Sequence, residues 1–331
     1  MFKAKIAGVG HYVPERVITN FDLEKMMDTS DEWIRERSGI VERHWVEDDE
    51  HNVDMAEKAS RSALEQAGLS TEDIDFIIFA TLSPDYFFPG TGCLLQDRLG
   101  LPPIGALDVR NQCSGFIYGL SIADQFIKTG MYKNILLVGS EIQSRGILHS
   151  TEGRDVTVLF GDGAGAVVIT RSENENKGIL TTHMHAEGRN VKELWCEDPG
   201  SRRNPRLTHE LIDTMSIWPH MNGRYVFKHA VTRFPEVIME AINAAGVSKS
   251  DVDLVIPHQA NQRITDAVRI KLELKEEQVY SNIAKYGNTT AASIPIAMSE
   301  AIAEGKISDG TLVCLAAFGS GFTWASALIR F

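Results

Sequence analysis

The sequence predicts an α/β fold that is built from two duplicated halves. Helix-like and strand-like patterns alternate along the whole chain, which is typical of this fold class. Residues 63–78 (ALEQAGLSTEDIDFII) and 241–256 (AINAAGVSKSDVDLVI) each read as a helix end, an Ala-Gly stop, an acidic turn and a buried strand. Cys113 and Asn288 then each lie 17 residues before the glycine that ends the next helical pattern. Matching landmarks in the same order indicate duplication.

The repeat continues beyond these helices and divides the chain. In each half there follow a strand (ILLVG, then TLVCL), a Phe-Gly-x-Gly turn and a final strand (AVVIT, then SALIRF). We therefore expect an N-terminal half over residues 1–172 and a C-terminal half over residues 173–331. Two similar halves packed about a pseudo-twofold axis would bring Cys113 and Asn288 to equivalent positions. His258 follows the strand VIP, so it would lie at a carboxyl end of the sheet, where α/β proteins usually place their sites.

Composition and charge narrow the functional classes. The 331 residues are 43% hydrophobic and 24% charged, as in ordinary globular proteins. The net charge of −12 argues against non-specific binding to nucleic acid or to an anionic membrane. No stretch approaches the roughly 20 apolar residues of a membrane span, and the first residues lack a signal-peptide core, so a cytoplasmic protein is expected. The four cysteines form no C-x-x-C pair, which predicts neither a metal site nor a disulfide framework.

Cys113 is the candidate nucleophile. It lies in Asn-Gln-Cys-Ser-Gly (111–115), between a strand pattern and a helix pattern, and its small neighbours allow a tight turn that exposes the thiol. Since a helix N-terminus favours a thiolate, we expect a lowered pKa for this thiol. The alternative is a buried, inert cysteine, which is the interpretation we give to Cys93, Cys196 and Cys314.

His258 and Asn288 are the candidate partners of this nucleophile. His258 stands in Pro-His-Gln-Ala-Asn (257–261), a polar loop after a strand, where an imidazole can face a cleft. A purely structural histidine is the alternative. Asn288 could simply cap the helix that follows it, although its correspondence to Cys113 in the repeat favours a role in the site.

Together these motifs resemble one enzyme family. Nearly the whole chain is similar to the β-ketoacyl-acyl-carrier-protein synthase III family, the initiating condensing enzymes of type II fatty acid synthesis. The motifs that carry the resemblance are TSDEWI (29–34), SGI (38–40), CSG (113–115), FGDGAGA (160–166), PHQANQRI (257–264), GNTTAASIP (287–295) and FGSGFTW (318–324). Each motif is only moderately specific, and the combination is highly specific.

This resemblance implies a thiolase-like five-layer αβαβα fold, a homodimer, and no cofactor beyond the substrates. It makes Cys113 the nucleophile of a catalytic triad with His258 and Asn288. Acyl-CoA would load its acyl group onto Cys113, and malonyl-acyl carrier protein would lose CO2 to give an enolate that attacks the acyl-enzyme. His258 and Asn288 would stabilise the enolate oxygen as neutral hydrogen-bond donors. The backbone N–H groups of Cys113 and Ser320 would form a second oxyanion hole.

The same resemblance implies a set of binding residues. Contacts to CoA and pantetheine fall on Trp33, Arg37, Arg154, Asn261 and Arg263. An indole can stack on adenine, and guanidinium groups can bind phosphates. The surface for the acidic carrier protein would include Lys228, Arg263 and Lys271. These cations would offset the repulsion that a net charge of −12 creates. Phe88 would reach across a dimer to close the partner's acyl pocket, with ordinary interface packing as the alternative.

The chain departs from the family pattern in three places. Position 320 is Ser where the pattern has Gly. The segment 189–225 is longer than usual and contains two tryptophans and three prolines. Tyr86 and Phe87 stand where smaller residues are common. Because the last two changes fall where the family shapes its acyl pocket, we expect an unusual acyl donor.

Three other functions compete with this prediction. The nearest is a synthase III-like condensing or acyl-transfer enzyme of secondary metabolism, of the alkylquinolone type, that does not use a carrier protein. A non-catalytic partner subunit would have lost the nucleophile, whereas all three triad residues are present. A cysteine hydrolase shares the residue types but explains neither the duplicated halves nor a basic patch.

Overall fold

Two mixed β-sheets and their flanking helices form the body of the computed structural model, which describes residues 2–174 and 176–331. The strands are β1 Lys3–Tyr12, β2 Val17–Thr19, β3 Glu42–His44, β4 Phe76–Ala80, β5 Gly105–Val109, β6 Asn134–Glu141, β7 Gly163–Ser172, β8 Gly178–Ala186, β9 Leu194–Trp195, β10 His220–Met221, β11 Leu254–Pro257, β12 Leu312–Gly319 and β13 Thr323–Arg330. The α-helices are α1 Asn20–Glu24, α2 Asp31–Ser38, α3 Asn52–Ala67, α4 Thr91–Arg98, α5 Gly115–Lys128, α6 Arg154–Thr157, α7 His209–Asp213, α8 Gly223–Ala244, α9 Gln262–Lys271, α10 Ile283–Tyr286 and α11 Ser293–Ala303.

The two large sheets share one topology. The first has the strand order β1-β7-β6-β4-β5 and the second the order β11-β12-β13-β8. In the first sheet β7 runs antiparallel to both of its neighbours, β1 and β6, and β6 runs parallel to β4. In the second sheet β13 likewise runs antiparallel to β8 and β12, and β12 runs parallel to β11. Only the fifth strand differs: β5 is complete, whereas its counterpart is a single parallel bridge between Val255 and Val279. The predicted duplication is confirmed.

The helices complete a five-layer αβαβα arrangement. Helices α5 and α11 lie between the sheets, since each contacts strands of both. Helix α3 packs on the outer face of the first sheet, with α4 beside it, and α8 packs on the outer face of the second, with α9 beside it. The predicted fold class is therefore confirmed. The division of the chain into domains at residues 172 and 173 stays a prediction.

Side-chain alternation along the strands assigns each residue to one layer. In β6, Ile135 and Leu137 pack in the central core with α5 and α11, whereas Leu136 and Val138 pack in the outer core with α3. Successive side chains of a strand point to opposite faces, so a strand covered on both sides must be apolar throughout. This explains the uninterrupted apolar runs in both halves of the sequence.

Two smaller pieces lie beside the sheets and shape the approach to the site. Strands β2 and β3 with helices α1 and α2 pack as a separate apolar cluster against residues 147–159 and α10. The second piece is the two-stranded ribbon of β9 and β10, which closes the excursion formed by residues 196–219. None of the helices in the described residues is long and apolar enough to cross a membrane.

Candidate active site

Cys113 lies in a 3-10 turn, Gln112–Ser114, between β5 and α5. The residue before it, Gln112, has a φ of +43°, a strained conformation for a residue with a side chain. Gly319 approaches from β12, where a built Cβ would lie 2.7 Å from the Cβ of Cys113 and 3.1 Å from its Sγ. The turn therefore places the thiol against the end of the second sheet, and only glycine fits opposite it.

The predicted lowering of the Cys113 pKa is wrong. Burial raises the pKa of this thiol to about 12, and the charge of the buried Glu141 carboxylate adds to the rise. The backbone N–H groups of Cys113 and Ser320 face the sulfur and oppose the shift without cancelling it. The start of a helix favours the thiolate form of Cys113. Because the side chain is only 8% exposed, desolvation disfavours the thiolate more strongly than the helix start favours it.

His258 lies at the carboxyl end of β11, as its position in the sequence predicted. Its backbone N–H donates to the Ala316 carbonyl at 2.7 Å, which ties the loop to β12. The ring is buried, with Nδ1 2.7 Å from the Ser293 Oγ and with no partner at Nε2 among the described residues. Burial lowers the pKa of His258 to about 3, so the imidazole is neutral over the usual working range.

Asn288 is held by backbone hydrogen bonds on both sides. Its N–H donates to the Leu159 carbonyl at 2.8 Å, and its carbonyl accepts from Gly161 at 3.1 Å. The side-chain Oδ1 accepts from the Thr290 N–H at 2.9 Å, so the Nδ2 group is left as a donor. The preceding Gly287 has a positive φ of +62°, and Gln112, which precedes Cys113, also has a positive φ. The helix-capping alternative is not borne out, because Ala292 caps α11 and the bond accepted by Asn288 comes from Thr290, in the turn before that helix.

The three side chains meet in one cavity. Cys113, His258 and Asn288 all line a space of about 140 Å³, together with Phe318 and Gly319. A second chamber of about 310 Å³ also reaches Cys113, and a wide mouth of about 550 Å³ shares several wall residues with the first cavity. The structure therefore brings the predicted triad together in a cavity that adjoins the mouth, with Cys113 also reaching the second chamber.

The predicted CoA contacts gather around the mouth. The guanidinium groups of Arg37 and Arg154 lie 4.7 and 4.8 Å from the centre of the Trp33 ring. Asn261 caps α9 by accepting from the Arg263 N–H at 2.9 Å, and its Nδ2 donates to the Arg37 carbonyl at 2.8 Å. Arg263 lines the mouth. Asn261 is thus already engaged within the protein, and ligand contacts at all five residues stay predictions.

Ser320 fits its loop without strain. The left-handed conformation falls on the next residue, Gly321, with a φ of +134°, and Ser320 is not among the residues with positive φ. Its hydroxyl donates to the Leu194 carbonyl of β9. A serine in place of the family's glycine therefore leaves the backbone N–H facing the sulfur of Cys113.

The features that the sequence predicts to shape an acyl pocket lie in two different places. Phe88 is 80% exposed and belongs to an exposed aromatic loop with Tyr86 and Phe87, away from the chamber of its own chain. The long segment 189–225, by contrast, lines the chamber through one set of residues: Val191, Leu194, Trp195, Cys196 and Pro219. The chamber is thus shaped by the segment that makes this chain unusual.

The predicted carrier-protein cations share one surface. Lys228 is exposed on α8, and Arg263 and Lys271 are exposed on α9, which packs against α8. The Lys271 Nζ donates to the Val231 carbonyl of α8 at 3.3 Å. This surface adjoins the mouth, since Arg263 contributes to both.

Sequence reasoning missed several residues of the site. Arg224 and Phe227, on the first turns of α8, line the mouth, and Met221 joins the mouth to the inner cavity. Glu141 accepts hydrogen bonds from the Leu82 N–H and the Ser83 hydroxyl close to Cys113. A lone acidic residue at the end of the apolar run ILLVGS was a signal for Glu141, whereas nothing in the sequence marks which face of α8 meets the mouth.

Comparison with known proteins agrees with this architecture. Residues 107–188 match the family model described as 3-oxoacyl-[acyl-carrier-protein (ACP)] synthase III, and residues 242–331 match the model of its C-terminal part. The chain is 48% identical to the β-ketoacyl-[acyl-carrier-protein] synthase III of Alkalilimnicola ehrlichii over 100% of both chains. It is 46% identical to that of Caldanaerobacter subterraneus subsp. tengcongensis over 99% of this chain and 97% of the relative. The crystal structure of 3-oxoacyl-[acyl-carrier-protein] synthase III from Aquifex aeolicus superposes with a TM-score of 0.91 at 47% identity, covering 99% of this chain and 100% of that one.

Proposed function

Since the chain belongs to the 3-oxoacyl-[acyl-carrier-protein] synthase III family, we propose that it condenses an acyl-CoA with malonyl-acyl carrier protein to give a β-ketoacyl-acyl carrier protein. This is the initiating reaction of type II fatty acid synthesis, and it makes the chain an acyltransferase. One observation carries the proposal: a single cavity joins a buried cysteine, two neutral donors and an entrance lined by arginines.

Acyl loading is the first step. The Cys113 sulfur attacks the thioester carbonyl of acyl-CoA, the bond from that carbon to the CoA sulfur breaks, and CoA leaves with the proton of the Cys113 thiol. The N–H groups of Cys113 and Ser320 face the reacting sulfur. They are therefore suited to bind the oxygen of the tetrahedral intermediate.

Condensation is the second step. The malonyl thioester loses CO2, and the electron pair of the broken C–C bond forms an enolate. The His258 ring and the Asn288 amide are placed to donate to the enolate oxygen, and a neutral imidazole with no protein partner at Nε2 is suited to this task. The enolate carbon then attacks the acyl group on Cys113, whose thiolate leaves and regains a proton from solvent.

Substrate binding is proposed at the mouth and on the surface beside it. Trp33, Arg37, Arg154 and Arg263 supply an aromatic face and guanidinium groups suited to adenine and phosphates. In the structure Arg37 and Arg154 both lie over the Trp33 ring, so one of them would move aside to admit a base. The exposed cations Lys228, Arg263 and Lys271 supply a local positive patch for an acidic carrier protein on a chain whose net charge is −12.

The free edge of the first sheet supports a proposal for the quaternary state. Strand β5 is an edge strand whose residues are exposed or half-buried, and the aromatic loop of Tyr86, Phe87 and Phe88 is exposed as well. Unpaired strand edges and exposed aromatic clusters favour association. The protein is therefore a homodimer in this proposal, with Phe88 entering the acyl chamber of the partner. It acts in the cytoplasm and uses no cofactor beyond its substrates.

One experiment separates this function from its rivals. Purified protein is incubated with an acyl-CoA and malonyl-acyl carrier protein, and CO2 release is followed together with the mass of the carrier protein. The proposed synthase releases CO2 and extends the carrier. An enzyme of secondary metabolism that uses no carrier would be acylated yet leave malonyl-acyl carrier protein unchanged, and a non-catalytic subunit would do neither.

A further inference from the structure

The two ring nitrogens of His258 have different surroundings. Nε2 faces the cavity shared with Cys113 and has no hydrogen-bond partner among the described residues, although it is buried. Nδ1 lies 2.7 Å from the Oγ of Ser293, the first residue of α11. A neutral imidazole carries its proton on only one of these nitrogens. The chemistry that His258 can perform therefore depends on what Ser293 does.

The hydrogen bonds of Ser293 decide where the proton lies. Its Oγ has two partners among the described residues, His258 Nδ1 and the backbone N–H of Gln259 at 3.3 Å. The Gln259 N–H can only donate, so the Ser293 hydroxyl proton has one acceptor, which is Nδ1. If Nδ1 itself carried a proton, the hydroxyl proton of a serine that is 2% exposed would be buried without a partner.

We propose that Ser293 is a positioning residue that donates its hydroxyl proton to His258 Nδ1 and thereby holds the ring in the tautomer with its proton on Nε2. The cavity then receives an N–H donor from His258 beside the amide donor of Asn288. In both side chains a neighbouring donor occupies the acceptor atom and leaves the other polar atom as the donor to the cavity. For Asn288 the Thr290 N–H donates to Oδ1, which leaves Nδ2 as the donor. The inference deepens the proposed function and rests on it for the identity of the enolate that these donors bind.

The opposite tautomer would change the chemistry of the site. With its proton on Nδ1, His258 would offer a lone pair to the cavity and would repel an enolate oxygen. Loading of Cys113 does not need the Nε2 proton, because the leaving CoA takes the proton of the thiol and the backbone N–H groups of Cys113 and Ser320 bind the oxyanion. Ser293 should therefore affect decarboxylation and leave acyl loading intact.

The tautomer itself can be measured in the free protein. Nitrogen-15 labelling of the histidine rings and long-range proton–nitrogen spectra distinguish a protonated Nε2 from a protonated Nδ1, and the His258→Ala variant identifies the signal among the ten histidines. We expect wild-type His258 to carry its proton on Nε2, and this signature to be altered in Ser293→Ala. A wild-type ring protonated on Nδ1 would overturn the proposal.

Partial reactions give the second readout. Ser293→Ala should load an acyl group like the wild type but release CO2 from malonyl-acyl carrier protein about 10²-fold more slowly, the usual effect of losing one such donor. Ser293→Thr, which keeps the hydroxyl, should recover most of the rate. Ser326→Ala is the matched control, because Ser326 is also buried but its hydroxyl donates to the Val237 carbonyl away from the cavity.

Two outcomes would contradict the role of Ser293. Wild-type decarboxylation in Ser293→Ala would do so, as would an equal loss in Ser326→Ala, since that would indicate a general packing effect. If the wild-type protein itself released no CO2 from malonyl-acyl carrier protein, the proposed function would fail. The nitrogen-15 spectra would still decide whether Ser293 sets the tautomer.

Discussion

Gly319→Ala tests the placement of the nucleophile more directly than removal of the nucleophile does. The added Cβ would lie 2.7 Å from the Cβ of Cys113 and 3.1 Å from its Sγ. Ordinary contacts between carbon atoms are about 3.5–4.0 Å long, so either β12 or the turn that holds Cys113 must shift by about 1 Å. The φ of Gly319 lies outside the left-handed range, so the contact and not the backbone conformation causes the effect.

The expected loss follows from that shift. Misplacing a reacting group by about 1 Å can cost about 10²-fold in rate, and we expect acyl loading of Gly319→Ala to fall by about this factor. The assay is a time course of intact mass after mixing with acyl-CoA, with circular dichroism to confirm folding. Gly188→Ala is the matched control, because a built Cβ there meets nothing within 4 Å. A folded Gly319→Ala protein that loads at the wild-type rate would show that the close approach of β12 does not position Cys113.

Three further predictions concern the donors, the carrier surface and the aromatic loop. His258→Ala and Asn288→Ala should still accept an acyl group but condense about 10²–10³-fold more slowly in stopped assays of CO2 release, and near-normal condensation would remove that residue from the mechanism. Lys228→Glu or Lys271→Glu should raise the KM for malonyl-acyl carrier protein at low salt, with the difference shrinking as salt is added; an unchanged KM would favour the rival that uses no carrier. Phe88→Ala should raise the ratio of long-chain to short-chain loading rates if Phe88 closes a chamber, whereas an equal loss at all lengths would limit Phe88 to interface packing.

The duplicated architecture could be predicted because its signals are local. The Ala-Gly stops, the acidic turns and the spacing from Cys113 and Asn288 to their glycines recur in order, and each has a direct structural cause. The shortened fifth strand of the second sheet could not be predicted. A single bridge at Val279 depends on pairing with Val255 of another strand, which is a contact between separate parts of the chain.

The meeting of Cys113, His258 and Asn288 could be predicted from the sequence, whereas several other residues of the site and its electrostatics could not. His258 and Asn288 fall where strand ends and the repeat place them, so their meeting with Cys113 follows from topology. The raised pKa of Cys113 depends on burial and on Glu141, which approaches from a different strand. The contact of the Ser293 hydroxyl with His258 likewise exists only because the start of α11 packs against the end of β11. Such contacts join distant parts of the chain and leave no local pattern.

In the proposed mechanism Cys113 carries the acyl group, which is then transferred to the malonyl-derived enolate. Intact mass and peptide mapping of the wild type and Cys113→Ala after exposure to an acyl-CoA measure both steps. We expect one acyl group on the peptide that contains Cys113, its disappearance on addition of malonyl-acyl carrier protein, and no labelling of the variant. Labelling of Cys113→Ala at the wild-type level, or a Cys113 adduct that persists in the presence of malonyl-acyl carrier protein, would rule out this mechanism.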